Sequence, residues 1–235
     1  MSLKQKYGRL AMVAGASEGI GAAFSELLAK EGLDLVLIAR RKEPLDKLAV
    51  LLRGKYGIKV DCISCDLSAS DAASRIKEAT KGREVNLLVY NAALSYIGRF
   101  EGDSIEHHNA IAQTNMITPM NMLHLFGEEM LKKGKGAIIL MASLAGFQGS
   151  GFLAAYAASK AFTRVLAESL WYEWKERGVD VIACCAGATS TANFINTNPG
   201  KSGFMAPAVQ IPEEVASECI KQLGKRPSLI TGRGN

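Results

Sequence analysis

No stretch of this 235-residue chain approaches the roughly 18 consecutive apolar residues that a membrane-crossing helix needs, although 48% of its residues are hydrophobic. A membrane span is therefore not expected. Cysteine is scarce as well. Cys62, Cys65, Cys184, Cys185 and Cys219 form an odd set, most of them inside apolar runs, so reduced core thiols are expected rather than a disulfide framework. Cys62 and Cys65 share a strand-like run whose period of two sends their thiols to opposite faces, which argues against a redox pair or a zinc site. Histidine is rarer still: His107, His108 and His124 show no ligand spacing with other metal-binding residues, and no metal is expected. Charge of one sign is also in short supply. The 28 Lys and Arg against 23 Asp and Glu leave a formal charge of +5, scattered along the chain, so neither nucleic acid nor a membrane surface is an expected partner. Lys4, Lys6 and Arg9 precede LAMVAGA in the manner of a signal peptide, but that run is too short and ends in a glycine turn that cleavage would destroy. The expected location is cytoplasmic. Repeats, low-complexity tracts and linker-like shifts are missing too, so residues 1–235 are expected to form one domain.

What is present is alternation. Apolar runs at Leu10 to Ala14, Leu33 to Ala39, Lys59 to Ser64, Leu87 to Tyr90, Ala137 to Ala142, Val179 to Cys184 and Ser228 to Thr231 are separated by helical patterns. Near-continuous apolar strands with helices between them call for a sheet covered on both faces. The expected fold is α/β: a doubly wound Rossmann sheet of seven mostly or wholly parallel strands, with helices on both sides. The irregular stretch is Ala188 to Ile211, which carries Pro199, Gly200, Gly203 and Pro207. A loop of that length in a compact domain usually serves a function.

Two stretches carry chemistry. From Phe152 onward the pattern reads as a helix, which places Tyr156 and Lys160 one turn apart on the same face. A cation beside a phenol stabilises the phenolate and lowers a pKa that is otherwise about 10, so this tyrosine is expected to exchange a proton near neutral pH. Ser143 closes a buried strand, at the end where open α/β sheets hold ligands, and its hydroxyl can steady a substrate oxygen. A lone Tyr and Lys at this spacing often meet by chance on a solvent-facing helix. The second stretch changes that balance. Val13-Ala14-Gly15-Ala16-Ser17-Glu18-Gly19-Ile20-Gly21 follows a short strand and opens an amphipathic helix through Lys30. Glycines let the backbone turn tightly and approach a diphosphate, whose charge the free N–H groups of the helix N-terminus stabilise.

Together these residues resemble the short-chain dehydrogenase/reductase family, and the resemblance covers essentially the whole chain. Asn91-Ala92-Ala93 stands where the family shows N-A-G, with Ala93 in place of the glycine, and Ala14 stands where many members have threonine. Asn115, in Gln113-Thr114-Asn115-Met116, matches the asparagine of the family's proton relay. Ala186-Gly187-Ala188-Thr189-Ser190-Thr191 looks like P-G-x-x-x-T with its proline replaced. The resemblance implies catalytic roles for Asn115, Ser143, Tyr156 and Lys160. It implies cofactor contacts from Gly15, Ser17, Glu18, Gly19, Ile20 and Gly21, from Asn91 and Ala92, from Tyr156 and Lys160, and from Gly187, Thr189 and Thr191. Asp66-Leu67 resembles the family's acidic position near the adenine. By position, 188–211 resembles the family's substrate loop. Its Phe194, Phe204 and Met205, with Phe147 and Phe152, either point to a partly apolar substrate or simply pack on the sheet. Many members pair as dimers or tetramers through long helices that here would be Ser104 to Lys132 and Leu153 to Arg177.

Cofactor choice is read at the end of the second strand. Leu37-Ile38-Ala39-Arg40-Arg41-Lys42 offers no acid to hold adenosine ribose hydroxyls, and instead presents three cations. Arginine grips a 2′-phosphate through fork-shaped, charge-assisted contacts, so NADP(H) is favoured over NAD(H), with Arg40 first and Arg41 next. Lys42 reads as the solvated start of the next helix. Glu18 runs against this, because many NADP-preferring members carry a basic residue there, while Ser17 can still donate to the phosphate. The expected function is an NADP(H)-dependent oxidoreductase interconverting a carbonyl and an alcohol on a small, partly apolar substrate. The alternative is a non-catalytic NADP(H)-binding sensor or interaction protein on the same fold.

Overall fold

The computed structural model describes residues 1–191 and 209–232, so Phe194, Phe204 and Met205 lie outside the described residues. Strands β1 (Leu10–Ala14), β2 (Asp34–Ala39), β3 (Val60–Ser64), β4 (Leu87–Tyr90), β5 (Gly136–Ser143), β6 (Val179–Ala186) and β7 (Ser228–Ile230) form one sheet. Its order is β3-β2-β1-β4-β5-β6-β7 and every pairing is parallel. The expected fold class is the one observed.

The strands read as unbroken apolar runs because both faces are covered. Ala11, Val13, Leu35 and Leu37 pack on one side with Phe24 and Leu28 of α2 (Gly19–Lys30), Leu45 of α3 (Lys42–Tyr56) and Val215 of an α-helix spanning Pro212–Gln222. Met12, Val36, Ile38 and Leu88 pack on the other with Ile76 of α4 (Ala72–Ala79), Phe126 of a helix spanning Thr118–Lys133 and Ala167 of a helix spanning Ala154–Trp174. Side chains alternate between the layers with the period of a strand. Phe24 and Leu28 are fully buried, and burial of each side chain contributes roughly 1.5–3 kcal/mol. Cys62 packs in the first layer and Cys65 in the second, as their spacing predicts. Among the described residues, no helix is long and apolar enough to cross a membrane, and no group of three or more His, Cys, Asp or Glu could hold a metal ion.

The chain runs outward from β1 to β3, then returns to place β4 on the other side of β1. That reversal opens a crevice at the carboxyl ends of the strands. A short helix α1 (Leu3–Tyr7) closes the opposite end, where Tyr7 and Lys6 both donate to Asp180, at 2.7 and 2.8 Å.

The long helix expected from Ser104 is interrupted. Helix α5 (Ile105–Ala112) gives way to a π-helical turn (Gln113–Ile117) before α6 (Thr118–Lys133) resumes. Pro119 supplies the reason. In an α-ladder the carbonyl of Asn115 would accept from residue 119, and proline has no N–H. The Thr118 N–H reaches back to Gln113 instead of Thr114. The carbonyls of Thr114 and Asn115 are thereby released. They accept from the Tyr90 hydroxyl at 2.6 Å and from Thr163 Oγ1 at 3.3 Å. The next helix, α7 (Ala154–Trp174), starts two residues later than the sequence pattern predicts, because Phe152 adopts a left-handed φ of 65°. The helix at Pro212–Gln222 is α8.

Candidate active site

A cleft of about 380 Å³ lies across the carboxyl ends of β1 to β4. Its floor is the turn between β1 and α2, where each glycine meets a steric demand. Gly15 has φ 80°, and a Cβ there would fall 2.6 Å from the Ala92 nitrogen. Gly19 has φ 56° and sits against Thr191, while a Cβ at Gly21 would overlap the Gly15 carbonyl oxygen. The turn thus lets backbone pass where any side chain would block it, and it leads into the N-terminus of a 12-residue helix whose N-cap residue, Glu18, makes no side-chain cap. Asn91 Nδ2 donates to the Gly15 carbonyl at 2.9 Å, so this residue braces the turn as well as lining the cleft.

Further wall comes from Ala39, Arg40 and Arg41 after β2, Cys65 to Leu67 after β3, and Ala92 to Leu94 after β4. Arg41 Nη2 lies 2.7 Å from Glu18 Oε2. Lys42 pairs with Asp46 on its own helix at 2.6 Å, in keeping with its reading as a solvated helix start. Asp66 accepts from the Ser68 backbone and hydroxyl, which together hold its carboxyl below the usual range, with a smaller pull from Arg40. Thr191 lines the cleft; Gly187 and Thr189 lie outside its lining, with Thr189 Oγ1 turned onto the Gly187 carbonyl at 3.1 Å. Sequence reasoning missed Thr114, which lines the cleft and whose buried Oγ1 has no hydrogen-bond partner among the described residues. A glycine cradle, a helix N-terminus, a cationic rim and an orphaned hydroxyl are the donor set that suits a dinucleotide.

Beyond the cleft, β5 and α7 bring the proposed proton-transfer groups together. Lys160 is 4% exposed and its Nζ donates to the Met141 carbonyl at 2.7 Å. The same Nζ lies 5.6 Å from the centre of the Tyr156 ring. Burial pulls the lysine down to about 8. The thiol of Cys185 is pushed up to about 12, chiefly by burial, and stays neutral. Gly146 lets the strand-to-helix connection press on α7, because a Cβ there would fall 2.6 Å from the Lys160 backbone.

The tyrosine departs from expectation. Its pKa is raised, not lowered: burial dominates, and the nearby Ser143 hydroxyl only partly opposes it. The cation expected to stabilise the phenolate is turned toward a backbone carbonyl instead, so the phenol is held in its protonated form.

Asn115 is 2% exposed and its side chain is fully engaged. Its Oδ1 accepts from the Leu94 N–H at 2.9 Å, and its Nδ2 donates to the Leu94 carbonyl at 2.8 Å and to Ser159 Oγ at 2.9 Å. Ser159 Oγ in turn donates to the Tyr156 carbonyl at 2.7 Å. Sequence reasoning missed Ser159 as well; its only signal is a polar side chain at i+3 from Tyr156 on a helix face that packs inward. Through it, the β4 loop, the π-turn and the tyrosine-bearing helix are fastened to one another.

Residues 9–202 match the profile of the short chain dehydrogenase family. The chain belongs to this family. It is 34% identical over 235 residues to a 7beta-hydroxysteroid dehydrogenase of Clostridium sardiniense, covering 100% of this chain and 90% of that protein. A solved 7beta-hydroxysteroid dehydrogenase superposes with a TM-score of 0.92 at 31% identity, covering 99% of this chain and 91% of its own. A short-chain dehydrogenase from Sphingobium yanoikuyae in complex with NADPH superposes with a TM-score of 0.85 at 27% identity, over 95% and 87% of the two chains. As a member of this family the protein is a carbonyl–alcohol oxidoreductase that uses a nicotinamide cofactor.

Proposed function

We propose that the enzyme is NADP(H)-dependent, that it reduces a ketone of a steroid or a similarly apolar ring system, and that Tyr156 supplies the proton. The observation that carries this reading is the meeting of Tyr156, Ser143 and Lys160 beside a cleft whose outer rim holds Arg40 and Arg41. NADPH, when bound, supplies the hydride. It would lie along Gly15 to Gly21, with Asn91, Ala92 and Thr191 beside it, and with Arg40 at its 2′-phosphate.

A protonated phenol suits the reducing direction. As negative charge develops on the substrate oxygen, Tyr156 donates its proton and Ser143 steadies the oxygen with a hydrogen bond. To stabilise the phenolate left behind, the Lys160 ammonium must swing from the Met141 carbonyl toward the phenol oxygen. The carbonyl of Asn115, beside its bond from Thr163 Oγ1, has a second lone pair that can hold a water between Lys160 and solvent, through which the tyrosine regains its proton. The half-exposed rings of Phe147, Phe100 and Phe152, with Ile97, offer an apolar surface on the loops that follow β4 and β5. The hydroxysteroid class named for the relatives fits that surface. We place the protein in the cytoplasm and read 1–235 as one domain, with 188–211 as its substrate loop. Exposed Ile105, Val165 and Tyr172 on α5 and α7 favour a homodimer or homotetramer packed through these helices.

The test is the affinity for NADPH and NADH, measured by nicotinamide fluorescence on the wild type and on Arg40→Ala, followed by turnover of a 7-oxosteroid. NADPH is expected to bind at least about tenfold tighter than NADH, with most of that preference lost in Arg40→Ala. Equal affinities, or a preference untouched by Arg40→Ala, would remove the cofactor assignment.

A further inference from the structure

The rim of the cofactor cleft holds two arginines that differ in their surroundings. Arg41 is paired with Glu18 at 2.7 Å, both side chains being about half exposed. Among the described residues, by contrast, no carboxylate lies within ion-pair distance of Arg40, although its charge helps lower the pKa of Asp66. Glu18 is also unusual for its place. It is the N-cap of α2, where a short polar side chain would normally accept a hydrogen bond from the helix, yet its carboxylate makes no such cap. The side chain crosses the mouth of the cleft from the β1–α2 turn to the end of β2, and both it and Arg41 line the cleft.

We infer that Glu18 limits how strongly the enzyme discriminates NADPH from NADH, by competing with the 2′-phosphate for Arg41. This inference rests on the reading that the two arginines form the 2′-phosphate end of the cleft. A phosphate arriving there must draw the guanidinium away from Glu18 or share it with a carboxylate of its own sign, and either lowers the return from the contact. NADH carries no 2′-phosphate and asks nothing of Arg41. The ion pair is solvent-exposed and therefore weak, so the competition changes affinity by roughly two- to fivefold rather than by orders of magnitude. Arg40, with no acid partner among the described residues, carries the larger share of the discrimination, and Glu18 sets how much Arg41 adds.

The test compares NADPH and NADH dissociation constants, by nicotinamide fluorescence, in the wild type, Glu18→Gln, Arg41→Ala and the double variant. Gln keeps the size of the side chain and removes only its charge. Glu18→Gln is expected to raise the NADPH-over-NADH affinity ratio by roughly two- to fivefold, and that gain is expected to vanish when Arg41 is also replaced. An unchanged or lowered ratio in Glu18→Gln, in an enzyme that prefers NADPH, would overturn the inference and leave the cofactor reading standing. A gain that survives Arg41→Ala would overturn it too, since Glu18 would then act on the phosphate without Arg41. A wild type that binds NADH as tightly as NADPH would remove the cofactor reading and this inference with it.

Discussion

Two glycine-bearing connections leave the same end of the sheet, and glycine means different things in them. In the turn from β1 to α2, Gly15 and Gly19 hold left-handed angles, and Gly21 stands where a Cβ would overlap a carbonyl oxygen. Between β5 and α7, Gly149 and Gly151 have no left-handed angle, and a Cβ added at either would meet no atom within 4 Å, while the left-handed position is taken by Phe152. The first connection is a rigid mould. Beyond Gly146, whose Cβ would press on Lys160, the second has spare room, and its strain sits on an aromatic residue whose carbonyl is held by the Gly98 N–H at 2.9 Å. Such strain is found where a surrounding structure over-determines a functional position. The cofactor side is thus shaped by what glycine permits, whereas the substrate side is shaped by which rings its loop presents.

The hardest test of this contrast is Gly21→Ala. The added methyl forces the backbone apart, so a loss of about 3 kcal/mol in stability and of measurable nucleotide binding is expected, checked by denaturant titration and nicotinamide fluorescence. Retained binding with unchanged stability would show the mould to be softer than its geometry implies. A middle-sized effect should come from pH. Lys160 is mostly charged only below about 8, so the rate of carbonyl reduction should fall about tenfold per pH unit above that value, while burial shifts the phenol's own titration upward, away from this range. A reduction rate that is flat from pH 7 to pH 10 would separate Lys160 from the proton transfer. The smallest effect is expected from Gly151→Ala, within about 0.5 kcal/mol of wild type by thermal melting, because open space surrounds it.

Much of this was legible in the chain. Each strand falls within about two residues of an apolar run, because a parallel sheet buried on both faces needs unbroken apolar sequence. The glycine turn was legible because its residues answer to local backbone geometry. The π-turn at Asn115 was open to the same reasoning: Pro119 stands four residues on and cannot donate. What the sequence hid depends on partners distant along the chain. The raised Tyr156 depends on how deeply α7 is buried and on Lys160 choosing the Met141 carbonyl. The pairing of Glu18 with Arg41 joins two loops, and the orphaned Thr114 hydroxyl is visible only once the π-turn is in place. Spacing predicts which groups meet; burial decides their protonation.

The central claim is that Tyr156 hands over the proton in a site that binds its cofactor independently of that residue. The most direct measurement is single-turnover ketone reduction by NADPH-loaded wild type and Tyr156→Phe, with NADPH affinity measured on the same samples. The account predicts a rate lower by roughly 10³-fold with affinity held within about twofold. A phenylalanine variant reducing the ketone within about tenfold of the wild-type rate would contradict it.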